Sequence, residues 1–285
     1  MELSIITINF NNKIGLDKTI ESVVNQSCTN FEYIIVDGAS TDGSLDIIKK
    51  YSSKITHWIS ERDNGIYNAM NKGVSIANGE YCLFLNSGDF LYNNNVVSEL
   101  LQHKNDNVDF IIGKVLFLNT KEYSNVSQNL SMLRFFQSSI PHPSTLIKRS
   151  LLLQNKYDEN YKIVSDWKFF IQELILKNAS FQLLDNVIAC FDSTGISSQN
   201  KRLVEKERKD VLKELIPDRI RADYFRFIKG NNYKQTVYDE FFSQLSRYKY
   251  SQYIYAISVI LTRLISLLKK SASFAFDYPI KLRKE

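Results

Sequence analysis

An α/β fold with a mostly parallel central sheet is the architecture this 285-residue sequence predicts. Two observations carry the prediction. Short apolar runs alternate four times with segments of helical periodicity across roughly the first hundred residues, the rhythm of βα units. Three of those runs also end in clusters of small polar residues, as strands do where a parallel sheet presents its carboxyl edge. A hydrophobic content of 44% supplies a core for one large domain, or for a domain with an appendage.

Leu3 to Ile8 reads as the first strand. A helix follows from about Gly15 to Asn25, with Leu16, Ile20, Val23 and Val24 on one face. Phe31 to Val36 is the second strand, and the polar turn Asp37 to Ser44 ends in an N-cap for a helix through Tyr51. Thr56 to Ser60 is a short third strand, and Asn64 can cap a helix from Ile66 to Ala77. Tyr81 to Leu85 is too short for a helix and apolar enough for a buried strand. It runs into Asn86-Ser87-Gly88-Asp89, which places Asp89 at the sheet edge, although these are also ordinary turn residues.

Beyond Leu91 the rhythm changes. A helix near Val96 to Gln102 precedes strand-like pieces over Val108 to Leu118, and then a mixed region with Pro141-His142-Pro143. Trp167 to Lys177 is an amphipathic helix preceded by Ser165 and Asp166, and Phe181 to Phe191 supplies one or two further strands. The main domain is expected over residues 1–198, with a basic, helical C-terminal extension over 199–285.

Charge is divided accordingly. From Lys201 onward there are 19 Lys and Arg against 10 Asp and Glu, leaving 17 against 21 in the first 200 residues. The basic tail suits an anionic surface or a solvated helical face, and the body is not a nucleic-acid binder. Nor does the tail interleave aromatic and basic residues as such a binder would. Tyr253 to Leu268 places Ile254, Ile257, Leu261, Leu264, Ile265 and Leu268 on one stripe, followed by Lys269 and Lys270. Peripheral membrane contact and packing on the body or on a second copy of the chain are both open to such a helix. Met1 leads directly into a strand without a basic leader, and no segment reaches the ~20 apolar residues of a membrane span. Cys28, Cys82 and Cys190 are widely spaced in apolar settings and read as reduced packing residues. The expected place is the cytoplasm, with the inner face of its membrane as the site of any lipid contact.

In a parallel sheet the clusters Asn9-Phe10-Asn11, Asp37 to Asp42 and Asn86 to Asp89 line one crevice. The ten glycines include neither a Gly-x-Gly pair nor Gly-Lys-Ser/Thr, so neither a dinucleotide fingerprint nor an NTPase loop is present. A diphosphate bound here is therefore expected to be held through Mg²⁺ or Mn²⁺.

With these clusters in order, the sequence resembles a family 2 glycosyltransferase with the GT-A nucleotide-sugar-binding fold over about residues 1–195. The resemblance rests on Ser4 to Asn11, Val36 to Gly43, Asn64-Gly65 with Ala69-x-Asn71-x-Gly73, Gly79-Glu80-Tyr81 leading to Asp89, and Ser165-Asp166. The variant Glu61 to Gly73 is similar to members that assemble bacterial surface polysaccharides (O-antigen, capsule or exopolysaccharide). Residue by residue, the resemblance implies an inverting, metal-dependent transferase in which Asp37 meets the nucleotide base, flanked by Thr7, Asn9 and Phe10. Asp63, Asn71, Ser87 and His142 are implied along the rest of the donor, while turn or cap chemistry stays open for Asp37, Asp63 and Asn71 and a buried structural role for His142. Asp89 is implied as the metal ligand, Asp166 as the general base and Trp167 as part of the acceptor pocket, while helix capping stays open for Asp166 and core packing for Trp167. The expected donor is a UDP-sugar and the expected acceptor a lipid-linked saccharide. Two departures stand out. Asn86-Ser87-Gly88-Asp89 keeps one carboxylate where many relatives carry Asp-x-Asp-Asp, and Met70 stands where an arginine is common. The alternative they suggest is a catalytically silent nucleotide-sugar-binding scaffold.

Overall fold

The computed structural model describes residues 2–103, 107–125, 130–193 and 195–229. Its first compact unit is Met1–Pro217, past the boundary read from composition, and its second is Asp218–Glu285, described as a helix over 218–229. The tail helix expected at Tyr253 to Leu268 lies outside the described residues. Among the described residues no helix is long and apolar enough to cross a membrane.

The chain opens β1 (Leu3–Asn9), α1 (Lys13–Val24), β2 (Glu32–Asp37), α2 (Ser44–Lys50), β3 (His57–Ser60), α3 (Ile66–Ile76) and β4 (Tyr81–Phe84). All residues of β1, β2 and β4 are buried, as expected of strands covered on both faces. These four strands are parallel and ordered β3-β2-β1-β4. The chain thus leaves β1 toward β2 and β3, then returns to β4 on the other side. A crevice opens where that direction reverses, at the carboxyl ends of β1 and β4.

The second half adds β5 (Phe90–Leu91), α4 (Val96–His103), β6 (Phe110–Phe117), β7 (Glu122–Tyr123), α5 (Met132–Gln137), β8 (Thr145–Lys148) and α6 (Arg149–Gln154). After them come α7 (Ser165–Phe170), a π-helical continuation (Ile171–Leu176), β9 (Phe181–Phe191), α8 (Ile196–Gln199) and α9 (Lys201–Leu215). The sheet continues from β4 through β8, β6 and β9 to β5, with β7 on β6. Here β8 runs antiparallel to both β4 and β6, while β6 and β9 are parallel. Val108 to Leu118 and Phe181 to Phe191 each contribute one strand, and their pairing shifts register around Gly113.

At the far edge of the sheet, the buried Glu32 carboxylate accepts hydrogen bonds from Ser4 Oγ (2.5 Å), Gly79 N (3.0 Å) and Asn78 N. Burial opposes its charge, but these donors together hold it below the ordinary carboxylate range. A Cβ on Gly79 would sit 2.5 Å from Ser4 N, so the turn into β4 approaches β1 more closely than any side chain permits. Asn64 does not cap α3. Gly65 takes that position, and its N–H donates to Asp63 Oδ1 at 2.9 Å.

Candidate active site

The ends of β1 and β2 are joined side chain to side chain. Asn9 pairs in register with Asp37, and its Nδ2 donates to Asp37 Oδ1 at 2.8 Å. Asp37 also accepts from Ser40 N (3.0 Å), Ser40 Oγ (2.6 Å) and Ser60 Oγ (2.6 Å). Four donors fill the lone pairs of a carboxylate, and Asp37 is fully buried, so it organises the loop between β2 and α2 from within. Contact with a base requires one of the serine hydroxyls to turn away. Beside it, Phe10 is 65% exposed. A Cβ on Gly38 would lie 3.1 Å from the Phe10 ring and 2.6 Å from Asp63 Oδ2, so Phe10, Gly38 and Asp63 form one contiguous rim.

Thr7 and Asn71 are not presented there. The Thr7 hydroxyl is buried against Tyr33 Oη at 3.0 Å. Asn71 clamps the chain after α6, donating to Tyr157 O (2.9 Å) and accepting from Tyr157 N (3.0 Å). Met70 is buried in the core face of α3.

The loop after β4 is tied to the end of β1 by Asn12, whose Nδ2 donates to Ser87 O at 2.9 Å. Ser87 N in turn donates to Ile8 O at 3.0 Å. Gly88 has φ 110°, the conformation that lets the loop reverse and carry Asp89 inward. Asp89 is 4% exposed and its Oδ1 accepts from Asp192 N at 3.0 Å. Burial, with the Asp192 carboxylate adding to it, pushes the Asp89 carboxyl up to about 7. Asp192, which follows β9, was not legible as a site residue because more than a hundred residues separate it from Asp89. Among the described residues no three His, Cys, Asp or Glu gather round one point. The donor set nevertheless fits a hard divalent cation: two carboxylates, with the Asn86 Oδ1 buried in the same loop and lacking a hydrogen-bond partner.

Asp166 sits at the start of α7 on the wall of a pocket of about 420 Å³. Tyr67, from α3, places its hydroxyl 2.7 Å from Asp166 Oδ1 and 2.6 Å from Ile163 O. His142 shares the pocket, stacked on Phe84 at the end of β4 with ring centroids 5.0 Å apart. Through His142 and Phe84 the pocket of the base candidate borders the carboxyl end of β4. His142 Nε2 lies 2.9 Å from Tyr157 Oη. Burial holds the imidazole below its ordinary range, while Asp166 pulls the other way. Trp167 lines the same pocket and is also a buried packing residue, its Nε1 donating to Ser138 O at 3.1 Å.

Three contributors to this wall carry no motif in the sequence. Glu207, on α9, accepts from Lys162 N (2.9 Å) and Ile163 N (3.0 Å), fixing the turn that delivers Asp166. Arg208 lies with its guanidinium carbon 4.9 Å over the Trp167 ring. Arg134, on α5, reaches the pocket from the opposite side of the sequence.

A profile described as glycosyl transferase family 2 matches residues 4–175. A PGL/p-HBAD biosynthesis glycosyltransferase of Mycobacterium bovis (strain BCG / Pasteur 1173P2) is 28% identical over 210 residues, covering 72% of this chain and 81% of its own. The minor teichoic acid biosynthesis protein GgaB of Bacillus subtilis (strain 168) is 30% identical over 184 residues, 59% of this chain and 20% of that protein. Among solved structures, S. aureus TarS 1-349 in complex with UDP-GlcNAc aligns with a TM-score of 0.56 and 22% identity, over 70% of this chain and 61% of that one. The mannosyltransferase PcManGT from Pyrobaculum calidifontis, in complex with GDP-Man and Mn²⁺, also gives 0.56, at 12% identity over 70% and 59%. This chain thus spans about three fifths of those solved chains. The likeness shows a GT-A fold. A parallel β3-β2-β1-β4 unit with its polar crevice, matched by the profile across more than half its length, is shared ancestry in both sequence and form: the chain belongs to glycosyl transferase family 2.

Proposed function

We propose that this protein transfers one sugar, with inversion, from a UDP-sugar to a hydroxyl of a lipid-linked glycan during assembly of a bacterial surface polysaccharide. The observation that carries the proposal is Asp166, held by Tyr67 on the wall of a pocket that adjoins the end of β4. Relatives named for PGL/p-HBAD and minor teichoic acid biosynthesis support the class of product, and a neighbour solved with UDP-GlcNAc supports the donor.

In this reading the nucleotide lies along Asn9, Phe10, Asp37 and Asp63, its base against the exposed Phe10 ring. Asp89 and Asp192 would hold a divalent cation with the donor's diphosphate. The chemistry such a cation supplies is neutralisation of the charge that develops on the departing nucleoside diphosphate. Asp166 takes the proton of the acceptor hydroxyl as that oxygen attacks the anomeric carbon. Tyr67 serves both protonation states of the base. Its single phenolic proton faces Asp166 Oδ1 while the carboxylate is charged, and can turn to Ile163 O once Asp166 has a proton of its own to donate. His142 is a buried part of the pocket wall, where burial disfavours its charged form.

Transfer assayed with the wild type and with Asp166→Asn tests this directly. The expected result is loss of nucleotide-sugar turnover in the variant with UDP affinity retained. A wild type that binds UDP but turns over no nucleotide sugar would instead establish the scaffold reading.

A further inference from the structure

The Asp166 pocket is walled largely by apolar side chains, Val115, Phe117, Ile140 and Phe191 among them, yet two guanidinium groups enter it. Arg134 Nη2 donates to Asn125 O at 2.7 Å, and its Nε is buried without a hydrogen-bond partner. Arg208 Nε is likewise buried and unpartnered, with the guanidinium stacked on Trp167. Desolvation lowers the Arg208 pKa, and the attraction of Asp166 only partly offsets it. Two half-buried guanidinium groups, each with a buried and unpartnered Nε, therefore line the pocket with one carboxylate, Asp166, which leaves it with a positive excess. Unpaired buried donors on charged groups are costly unless a ligand completes them.

We infer that this pocket is an oxyanion subsite, and that the acceptor carries a phosphoryl or carboxylate group beside the hydroxyl that attacks. The planar forks of Arg134 and Arg208 suit the oxygens of such a group, which they bind in two-point fashion. Its position separates it from the donor. None of Asn9, Phe10, Asp37, Asp63 or Asp89 lines the pocket, whereas Asp166 does, so an anion held here lies on the side of the base. Arg208 also falls beyond residues 4–175, outside the part of the chain that the family profile matches. A neutral saccharide would leave both arginines with unmet donors, so the pocket discriminates against it. This inference rests on the reading of Asp166 as the base.

The test is calorimetric titration of the full chain, saturated with UDP and Mn²⁺, with sn-glycerol 3-phosphate, with glucuronate, and with glycerol and glucose as neutral controls. One or both anions are expected to bind while the neutral compounds do not; the stronger anion names the group. Arg208→Gln and Arg134→Gln should each weaken that binding by about tenfold or more, with UDP affinity unchanged. Arg208→Lys, which keeps the charge and loses the fork, should fall between wild type and Arg208→Gln, and it serves if the glutamine variant fails to fold. The inference is overturned if the anions bind only without UDP, or if the variants lose UDP affinity, since the arginines would then serve the donor diphosphate. It is overturned equally if no anion binds or if the variants bind it as the wild type does. UDP binding by the wild type and the Asp166→Asn result are read on the same preparations, so retained donor binding and turnover without anion binding would sink this inference alone.

Discussion

Glu207→Gln probes how the active wall is held. In the wild type the carboxylate closes on two successive backbone N–H groups, Lys162 N and Ile163 N, four and three residues before Asp166, and Glu207 is 6% exposed. Hydrogen bonds to a charged acceptor contribute about 1.5–3 kcal/mol each. Glutamine keeps one acceptor oxygen but turns an NH₂ toward the other N–H. One bond is lost, the second falls to neutral strength, and a buried donor is left facing another donor. The expected destabilisation is about 3 kcal/mol, which a domain with about 5–15 kcal/mol of stability survives. For a unit of this size that corresponds to a fall in Tm of about 6–12 °C. The turn should also relax, and a displacement of about 1 Å at a catalytic group costs on the order of 10²-fold in turnover. Urea denaturation and nucleotide-sugar turnover measure the two effects, with Glu205→Gln, an exposed site on the same helix, as the control within about 0.5 kcal/mol. A Glu207→Gln protein that matches this control in both assays would refute the view that α9 fixes the position of Asp166.

Three further outcomes are expected. His142→Gln should flatten the loss of stability on mild acidification: burial depresses the folded-state pKa below 6.5, so the wild type is fully stable above that value and loses stability as pH falls below it, while the variant has no such proton to take up; denaturation midpoints between about pH 7 and 5 decide it. Gly79→Ala should cost about 1–3 kcal/mol by forcing a methyl to within 2.5 Å of Ser4 N, and an unchanged Tm would contradict the close approach of the two segments. Asp89→Asn should abolish, and Asp192→Asn diminish, the extra thermal stabilisation that Mn²⁺ gives the UDP-bound protein; equal stabilisation of all three proteins would exclude these carboxylates as ligands.

The crevice at the ends of β1, β2 and β4 was readable from the sequence because its signals are local. A strand, a polar turn and a helix repeat within windows of a few tens of residues, and a parallel sheet necessarily gathers their ends. Asn9, Asp37 and the Asn86 to Asp89 loop accordingly meet at one edge, with Asn9 bonded to Asp37 and Asn12 bonded to Ser87. What the local signal could not supply was the occupancy of each group. Thr7 and Asn71 stand at motif positions, but Tyr33 and Tyr157 already engage their polar atoms, and those partners are distant in sequence. The Asp37 carboxylate is filled by Ser40 and Ser60 for the same reason.

The Asp166 pocket was opaque for a different reason: its parts arrive from elements with no common period. Tyr67 comes from α3, Arg134 from α5, and Glu207 and Arg208 from a helix whose composition is highly charged throughout. Composition alone places that helix in a basic extension, suited to an anionic surface or to a solvated face, since a charged helix usually has nothing to bury. In the folded chain Val211 and Leu212 pack inward, Glu207 caps the turn before Asp166, and Glu214 meets Lys168 at 2.6 Å. Lys168 also pairs with Asp158 at 2.7 Å, so α9 is bound to the two segments that flank the pocket. A helix so fixed sets Arg208 on the lining of the pocket that Asp166 shares. Ending the chain at residue 198 would therefore remove a wall of the pocket along with the caps on its base, whereas ending it at Pro217 retains both. Turnover that survives the first truncation as well as the second would mean that the anion-binding side of the pocket contributes nothing to transfer.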